Sequence, residues 1–330
     1  MKIGLIDVDS HNFPNLAMMK ISAWHKSRGD EVDWWFPLEH YDVVYVSKVF
    51  GDEYSTLDTT VIQAEKIIYG GTGFALSIVD GKEVYEKAKD ADLPPEIEHS
   101  FPDYGLYPDL TKNTAFGFLS RGCPNNCAFC PVSKKCGRVS HKVADLTEFW
   151  NGQKNIKLLD PNILACRQHL DLLQQLADSK ASVDFTQGLD ARFVNEDNLK
   201  VLKEIKIKMV HFAFDLMRNE KDIIRGLKLA KERLQLDEHN SVVYMLTNFD
   251  TTIKEDVYRV KRIQECGYMP DVRIYRKAAL PKRHILRDLQ RWCNNRMLYR
   301  SSSFFDYVPR TDGRTIKEIY RKELQDCEVI

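Results

Sequence analysis

The chain has little of what marks an exported or membrane-bound protein. No N-terminal signal peptide is visible, and no run of 18 apolar residues suggests a membrane span. There is no net charge, because 48 Lys and Arg stand against 48 Asp and Glu. An internal repeat and a low-complexity segment are both missing, which excludes solenoid and fibrous architectures. The first 112 residues hold no cysteine at all, so no thiolate-held cluster can sit there. What remains is ordinary globular material. The 330 residues, 43% hydrophobic and 29% charged, leave room for two domains and a sizeable core. Eight cysteines without export point to a reducing compartment, so a cytoplasmic location is expected.

The charge is unevenly spread. Residues 1–112 carry 20 acidic and 10 basic residues, whereas residues 277–322 carry 12 basic and 4 acidic ones. Strand and helix signals alternate from the start. Lys2–Asp7, Glu31–Phe36, Asp42–Val46 and Lys66–Tyr69 read as strands, and Pro14 to Arg28 reads as a helix that opens on proline and ends before Gly29. This predicts a small Rossmann-like open sheet over 1–80. Residues 81–112, with Leu93-Pro94-Pro95, Phe101-Pro102 and Tyr107-Pro108, read as a non-regular linker.

A second rhythm begins near residue 113. Apolar, β-branched runs recur at Ala115–Leu119, Ile156–Leu159, Ser182–Thr186, Met209–Phe214, Ser241–Leu246 and Val272–Tyr275. Between them lie helix-like stretches at Ile163–Ala177, Glu196–Ile205, Glu220–Leu234 and Ile253–Cys266. Six β/α units over 113–280 predict an α/β fold with an incomplete barrel of parallel strands, whose site lies at the C-terminal strand ends. Residues 281–330 form a basic extension with Arg283, Arg287, Arg291, Arg296 and Arg300 among Trp292, Tyr299, Phe304, Phe305 and Tyr307. Such a segment can hold nucleic acid, or it can be a solvated helix that closes the barrel or docks on the acidic front.

The chemistry is concentrated directly after the first strand of this second region. Cys123, Cys127 and Cys130 form a C-x3-C-x2-C array within RGCPNNCAFC. Three thiolates this close can hold three irons of a [4Fe–4S] cube and leave the fourth iron open to a small molecule. Zinc would want a fourth ligand, and a disulfide framework would not crowd three half-cystines into so short a loop. Cys136, Cys166, Cys266, Cys293 and Cys327 have no metal-like spacing and read as buried or indifferent thiols, although Cys136 is near enough to be a spare ligand.

This array, with Phe129 before its last cysteine, resembles the signature of the radical S-adenosylmethionine (SAM) superfamily. The resemblance implies a partial (β/α)6 barrel, a [4Fe–4S] cluster on Cys123, Cys127 and Cys130, and SAM on the open iron. Reductive cleavage of SAM would then give methionine and a 5′-deoxyadenosyl radical that removes hydrogen from a substrate. A flavodoxin- or ferredoxin-type protein would supply the electron. The resemblance also implies SAM contacts. Phe129 would pack against adenine, or simply pack the loop. Asp160 and Asn162, in Leu158-Leu159-Asp160-Pro161-Asn162, are acceptors placed to meet the SAM ammonium, and Asn162 can alternatively cap the following helix. The stretch from Phe185 to Arg192 resembles a ribose-contacting element, with Gln187, Asp190 and Arg192 in it; Arg192 could fork onto the SAM carboxylate. Asp215, at the fourth strand end, would contact SAM or substrate, or cap a helix. His211 falls mid-strand and reads as a satisfied barrel residue.

The front region resembles a cobalamin-binding domain through Asp9-Ser10-His11-Asn12-Phe13-Pro14 and Gly70-Gly71-Thr72-Gly73. His11 could ligate cobalt, but Pro14 replaces the expected glycine, so tight cobalamin binding is not expected. The resemblance leaves a B12-dependent radical SAM methyltransferase and a non-catalytic iron–sulfur electron carrier or sensor as alternatives. Methylthiotransferases share the cysteine style but carry further cluster cysteines in front, where this chain has none.

Overall fold

Lys2–Asp7 alternates apolar and small residues, and Ile3 and Leu5 are fully buried in strand β1. A computed structural model describes residues 1–58, 60–311 and 313–325. Strands β2 (Glu31–Trp34), β3 (Tyr41–Ser47) and β4 (Ala64–Gly70) join β1 in a parallel sheet of order β2-β1-β3-β4. Helix α1 (Leu16–Ser27) connects β1 to β2 and packs Met18 and Ile21 on Ile3, Leu5, Val32 and Val43. The helix starts two residues after Pro14 because Asn15 takes the capping position and accepts the Met18 N–H at 3.3 Å. On the other face Tyr41, Val44 and Val46 pack with Ile62 and Phe74.

Regular structure continues past the first sheet at residue 80. An antiparallel hairpin, β5 (Leu76–Val79) and β6 (Lys82–Tyr85), crosses that point on an Asp80-Gly81 turn, both residues having positive φ. That dipeptide is a strong hairpin signal. The proline-rich connector forms two single-turn helices, α2 (Pro95–Glu98) and α3 (Pro108–Thr111). Asp103 anchors it to α1 through Ser22 and Lys26, both at 2.7 Å.

The second sheet has six parallel strands in the order β14-β13-β12-β11-β10-β7. They are β7 (Thr114–Gly117), β10 (Asn155–Leu158), β11 (Ser182–Phe185), β12 (Lys206–Ala213), β13 (Ser241–Thr247) and β14 (Pro270–Ile274). Neighbours in the sheet are neighbours in the chain, as connections through helices require for parallel strands. Two further strands, β8 (Ser120–Arg121) and β9 (His141–Lys142), form a short antiparallel ladder after β7. The helices are α4 (Val132–Cys136), α5 (His169–Ser179), α6 (Glu196–Leu202), α7 (Glu220–Leu234) and α8 (Ile253–Glu265). The basic extension adds α9 (Ile285–Cys293), α10 (Arg296–Ser301) and α11 (Ile316–Ile319). The chain parts into two compact units, residues 1–168 and the remainder from His169. Among the described residues no helix is long and apolar enough to cross a membrane.

Candidate functional site

The cysteine loop leaves the sheet at the C-terminal end of β7 and returns through β9. Its base is closed by pairing of Ser120 with Lys142 and Arg121 with His141. Gly122 follows at φ +91°, and a Cβ there would lie 2.1 Å from the Val139 carbonyl oxygen. Only glycine allows the two arms to approach this closely. The Cys123 N–H donates to the Gly137 carbonyl at 3.1 Å, and the Cys130 N–H to the Cys127 carbonyl at 3.0 Å, which folds the last four residues of the array into a turn. Cys123, Cys127, Phe129 and Cys130 are all half-buried. Lys135 ties the loop to the front region through Asp90 at 2.8 Å and Thr72 at 2.7 Å. Among the described residues no three His, Cys, Asp or Glu side chains are grouped so as to hold a metal ion as they stand.

The other thiols behave differently. Cys166, Cys266 and Cys293 are buried, and burial raises each of them above the ordinary thiol range. Cys136, half-buried at the last position of α4, is raised for the same reason. Cys327 lies outside the described residues.

Asp160 and Asn162 sit beside the loop base. Asp160 is 3% exposed and accepts the Leu119 N–H at 2.8 Å, the Ser120 N–H at 2.5 Å and the Ser120 hydroxyl. Burial pushes its carboxyl up to about 7, against the pull of these donors. It joins the end of β10 to the exit from β7 and fixes where the loop departs. Asn162 takes the N-cap position of a 3-10 turn at Ile163–Ala165, but its side chain makes no cap bond there. Its side-chain N–H donates to Cys123 Sγ at 3.5 Å, its carbonyl is held by the Ser140 hydroxyl at 2.8 Å, and the α-helix begins only at His169. Asn162 therefore contacts the cysteine array itself.

The ribose-type stretch lies in the second unit. Gln187 is exposed at the end of β11. Arg192 forks onto Asp190, with Nε to Oδ1 at 2.8 Å and Nη2 to Oδ2 at 2.7 Å, and Asp190 also accepts the Arg192 N–H. Helix α7 packs tightly on this turn through Gly226, where a Cβ would lie 1.8 Å from the Ala191 carbonyl oxygen. Asp215 accepts the Leu246 N–H at 2.7 Å, so it bridges β12 to β13 rather than capping a helix, and burial raises its carboxyl. Arg259, fully buried, clamps the same strand ends through the carbonyls of Phe214 at 2.8 Å and Leu246 at 2.8 Å, and it pairs with Asp256. Nothing in the D-x-x-R sequence of α8 signals this clamp. His211 is satisfied, as its position suggests: Nδ1 meets the Phe185 carbonyl at 3.0 Å.

In the front sheet the loop after β1 is filled by its own side chains. Asp9 accepts the N–H groups of Val49 and Phe50, both at 2.8 Å. Asn15 reaches the Ser47 hydroxyl at 2.8 Å, and Tyr107 donates its hydroxyl to Asp7 at 2.5 Å. His11 is exposed.

The arginines of the extension are largely occupied within their own unit. Arg287 donates to the carbonyls of Pro281, Lys277 and Leu280, Arg296 to that of Glu238, and Arg300 pairs with Glu238. Trp292, Phe304 and Tyr307 are buried among them. A scan against protein-family models and a search of curated proteins both find no match to this chain.

Proposed function

We propose that the chain is a radical SAM enzyme whose six-stranded sheet is a partial (β/α)6 barrel. The observation that carries this reading is the position of the C-x3-C-x2-C array. It occupies a loop that leaves the C-terminal end of the first strand of a parallel sheet wound in sequence order, where such folds place their chemistry. The donor set fits a [4Fe–4S] cube with one open iron: three soft thiols, half-buried, with no carboxylate or imidazole among them. Gathering the thiols is coupled to loading, because metal binding and loop ordering share one free energy.

Bound together, the cluster and SAM would supply reductive sulfonium cleavage and a 5′-deoxyadenosyl radical that takes hydrogen from a substrate. The chain's own part is positional. Cys123, Cys127 and Cys130 hold the cluster. The Asn162 N–H to Cys123 Sγ stabilises negative charge on that sulfur. Phe129 would pack against the SAM adenine. Asp160 acts through the backbone of Leu119 and Ser120, and Gln187 is available to ribose hydroxyls. Arg192 is held by Asp190 and serves best as a positioning residue for that turn. Tight cobalamin binding is not expected at the front loop, where Pro14 replaces the glycine and Asp9 and Asn15 spend their side chains on Val49, Phe50 and Ser47. A flavodoxin- or ferredoxin-type protein would serve as electron donor.

The test is anaerobic reconstitution followed by reduction in the presence of SAM. About four irons per chain and the appearance of 5′-deoxyadenosine are expected. Iron bound without any deoxyadenosine would favour an electron carrier, and failure to bind iron would end the reading.

A further inference from the structure

In the second unit each strand carries a fully buried valine followed by a polar or aromatic residue. Val183, Val210, Val243 and Val272 are buried, so Asp184, His211, Tyr244 and Arg273 point to the opposite face of the sheet. The strands β11 to β14 are adjacent, and these four side chains form a row across them. The His211 ring stacks on Tyr244 at 4.8 Å and 10°. The Arg273 guanidinium lies 5.0 Å from the centre of the Tyr244 ring and pairs with Asp271 at 2.9 Å. Because β12 and β14 flank β13, the imidazole and the guanidinium lie on either side of the phenol ring.

That end of the row is satisfied, but the Asp184 end is not. Asp184 Oδ1 is buried and meets no hydrogen-bond donor. The nearest cationic candidate is His211 Nδ1 at 3.9 Å, beyond hydrogen-bond range, and this nitrogen already donates to the Phe185 carbonyl at 3.0 Å. The only other cation in the row is Arg273, which two rings separate from Asp184 and which Asp271 already neutralises. A carboxylate oxygen buried without a donor is costly, and in a side chain only 14% exposed it calls for a partner.

We propose that this face binds the substrate through a primary amine, whose ammonium donates to Asp184 while the stacked His211–Tyr244–Arg273 row holds the site rigid. An ammonium brings both the missing charge and up to three donors. The proposal rests on the radical SAM reading only in calling the ligand a substrate; binding itself requires neither cluster nor SAM.

The experiment titrates the full-length protein, before and after reconstitution, with putrescine and with 1,4-butanediol, its neutral counterpart. The imidazole NMR signals of His211, assigned with His211→Gln, report occupancy. Putrescine is expected to shift them saturably and butanediol to leave them in place. Asp184→Asn, which keeps the shape, should weaken putrescine by about tenfold or more, the loss of a charge-assisted hydrogen bond. Equal response to the diol, or unchanged putrescine affinity in both Asp184→Asn and Asp184→Ser, overturns the proposal. Deoxyadenosine formation surviving such a result would leave the radical reading standing, whereas amine binding without iron or deoxyadenosine would remove that reading and keep the amine site.

Discussion

The loop after β1 and the loop after β7 both leave the C-terminal end of a parallel strand, yet they are built in opposite ways. The first is closed over its length. Asp9 accepts two backbone N–H groups, Asn15 donates to the Ser47 hydroxyl oxygen, and Tyr107 donates to Asp7. The second is fastened at its base by β8, β9 and Gly122, while its three thiols stand half-buried beyond. Strand ends in parallel sheets favour binding because loop groups converge there. Whether a given end binds anything depends on how many of those groups the loop itself consumes. By that measure the loop after β1 spends its polar side chains on structure, whereas the loop after β7 is fastened at its base.

The largest effect should come from Cys127→Ala. A two-thiolate site holds a cube poorly, so the reconstituted variant should lose nearly all of its iron and its broad visible absorption. An intact cluster there would erase the contrast between the loops. Gly122→Ala should come next. The added Cβ must displace the Val139 carbonyl, and the residue would sit in the left-handed region. A loss of about 2–4 kcal/mol in denaturant unfolding is expected, together with reduced cluster content.

Asp9→Ala should sharpen the comparison from the other side. It leaves two N–H groups without their acceptor, a cost of about 2–3 kcal/mol, yet the cluster content after reconstitution should be unchanged. A smaller and pH-dependent effect belongs to Asp160. Its folded carboxyl is raised to about 7, so between the ordinary carboxylate range and that value the folded chain holds a proton that the unfolded chain has released. Stability should therefore fall as pH rises through this window, by up to about 1.4 kcal/mol per pH unit, and level off above it. In Asp160→Asn the slope should shrink by that share, the buried Asp215 carboxyl still contributing in the same direction, although the variant is less stable overall. A wild-type profile that rises across the same window would contradict the assigned direction.

The strands were largely legible. KIGLID and SVDF carry burial patterns that their side-chain chemistry announces, SVVYMLT buries Ser241 and Thr247 and leaves Val242 and Leu246 half-buried, and α7 spans Glu220–Leu234 as its periodicity predicts. The hairpin at residues 76–85 was announced by Asp80-Gly81 but falls inside a stretch whose proline and acid content suggests a boundary. At the site, the cysteines were legible because their spacing is local. The aspartates were not. Asp9, Asp160 and Asp215 all follow strands, and all bond to the backbone of a neighbouring strand or loop. Those partners are 31 to 41 residues away in sequence, so a reading of local motifs sees a free acceptor where folding supplies donors. Asn162 shows the same blindness in reverse: its position suggests a cap, and its partner is Cys123.

The account depends most on SAM meeting a cluster held by the loop after β7. The direct measurement is the EPR spectrum of the anaerobically reconstituted, reduced full-length protein, recorded without and then with SAM. A [4Fe–4S]+ signal that changes its g values on addition of SAM, and is missing from Cys127→Ala, is the predicted result. A cluster signal indifferent to SAM at saturating concentration would contradict the account and leave the loop as the seat of an electron carrier.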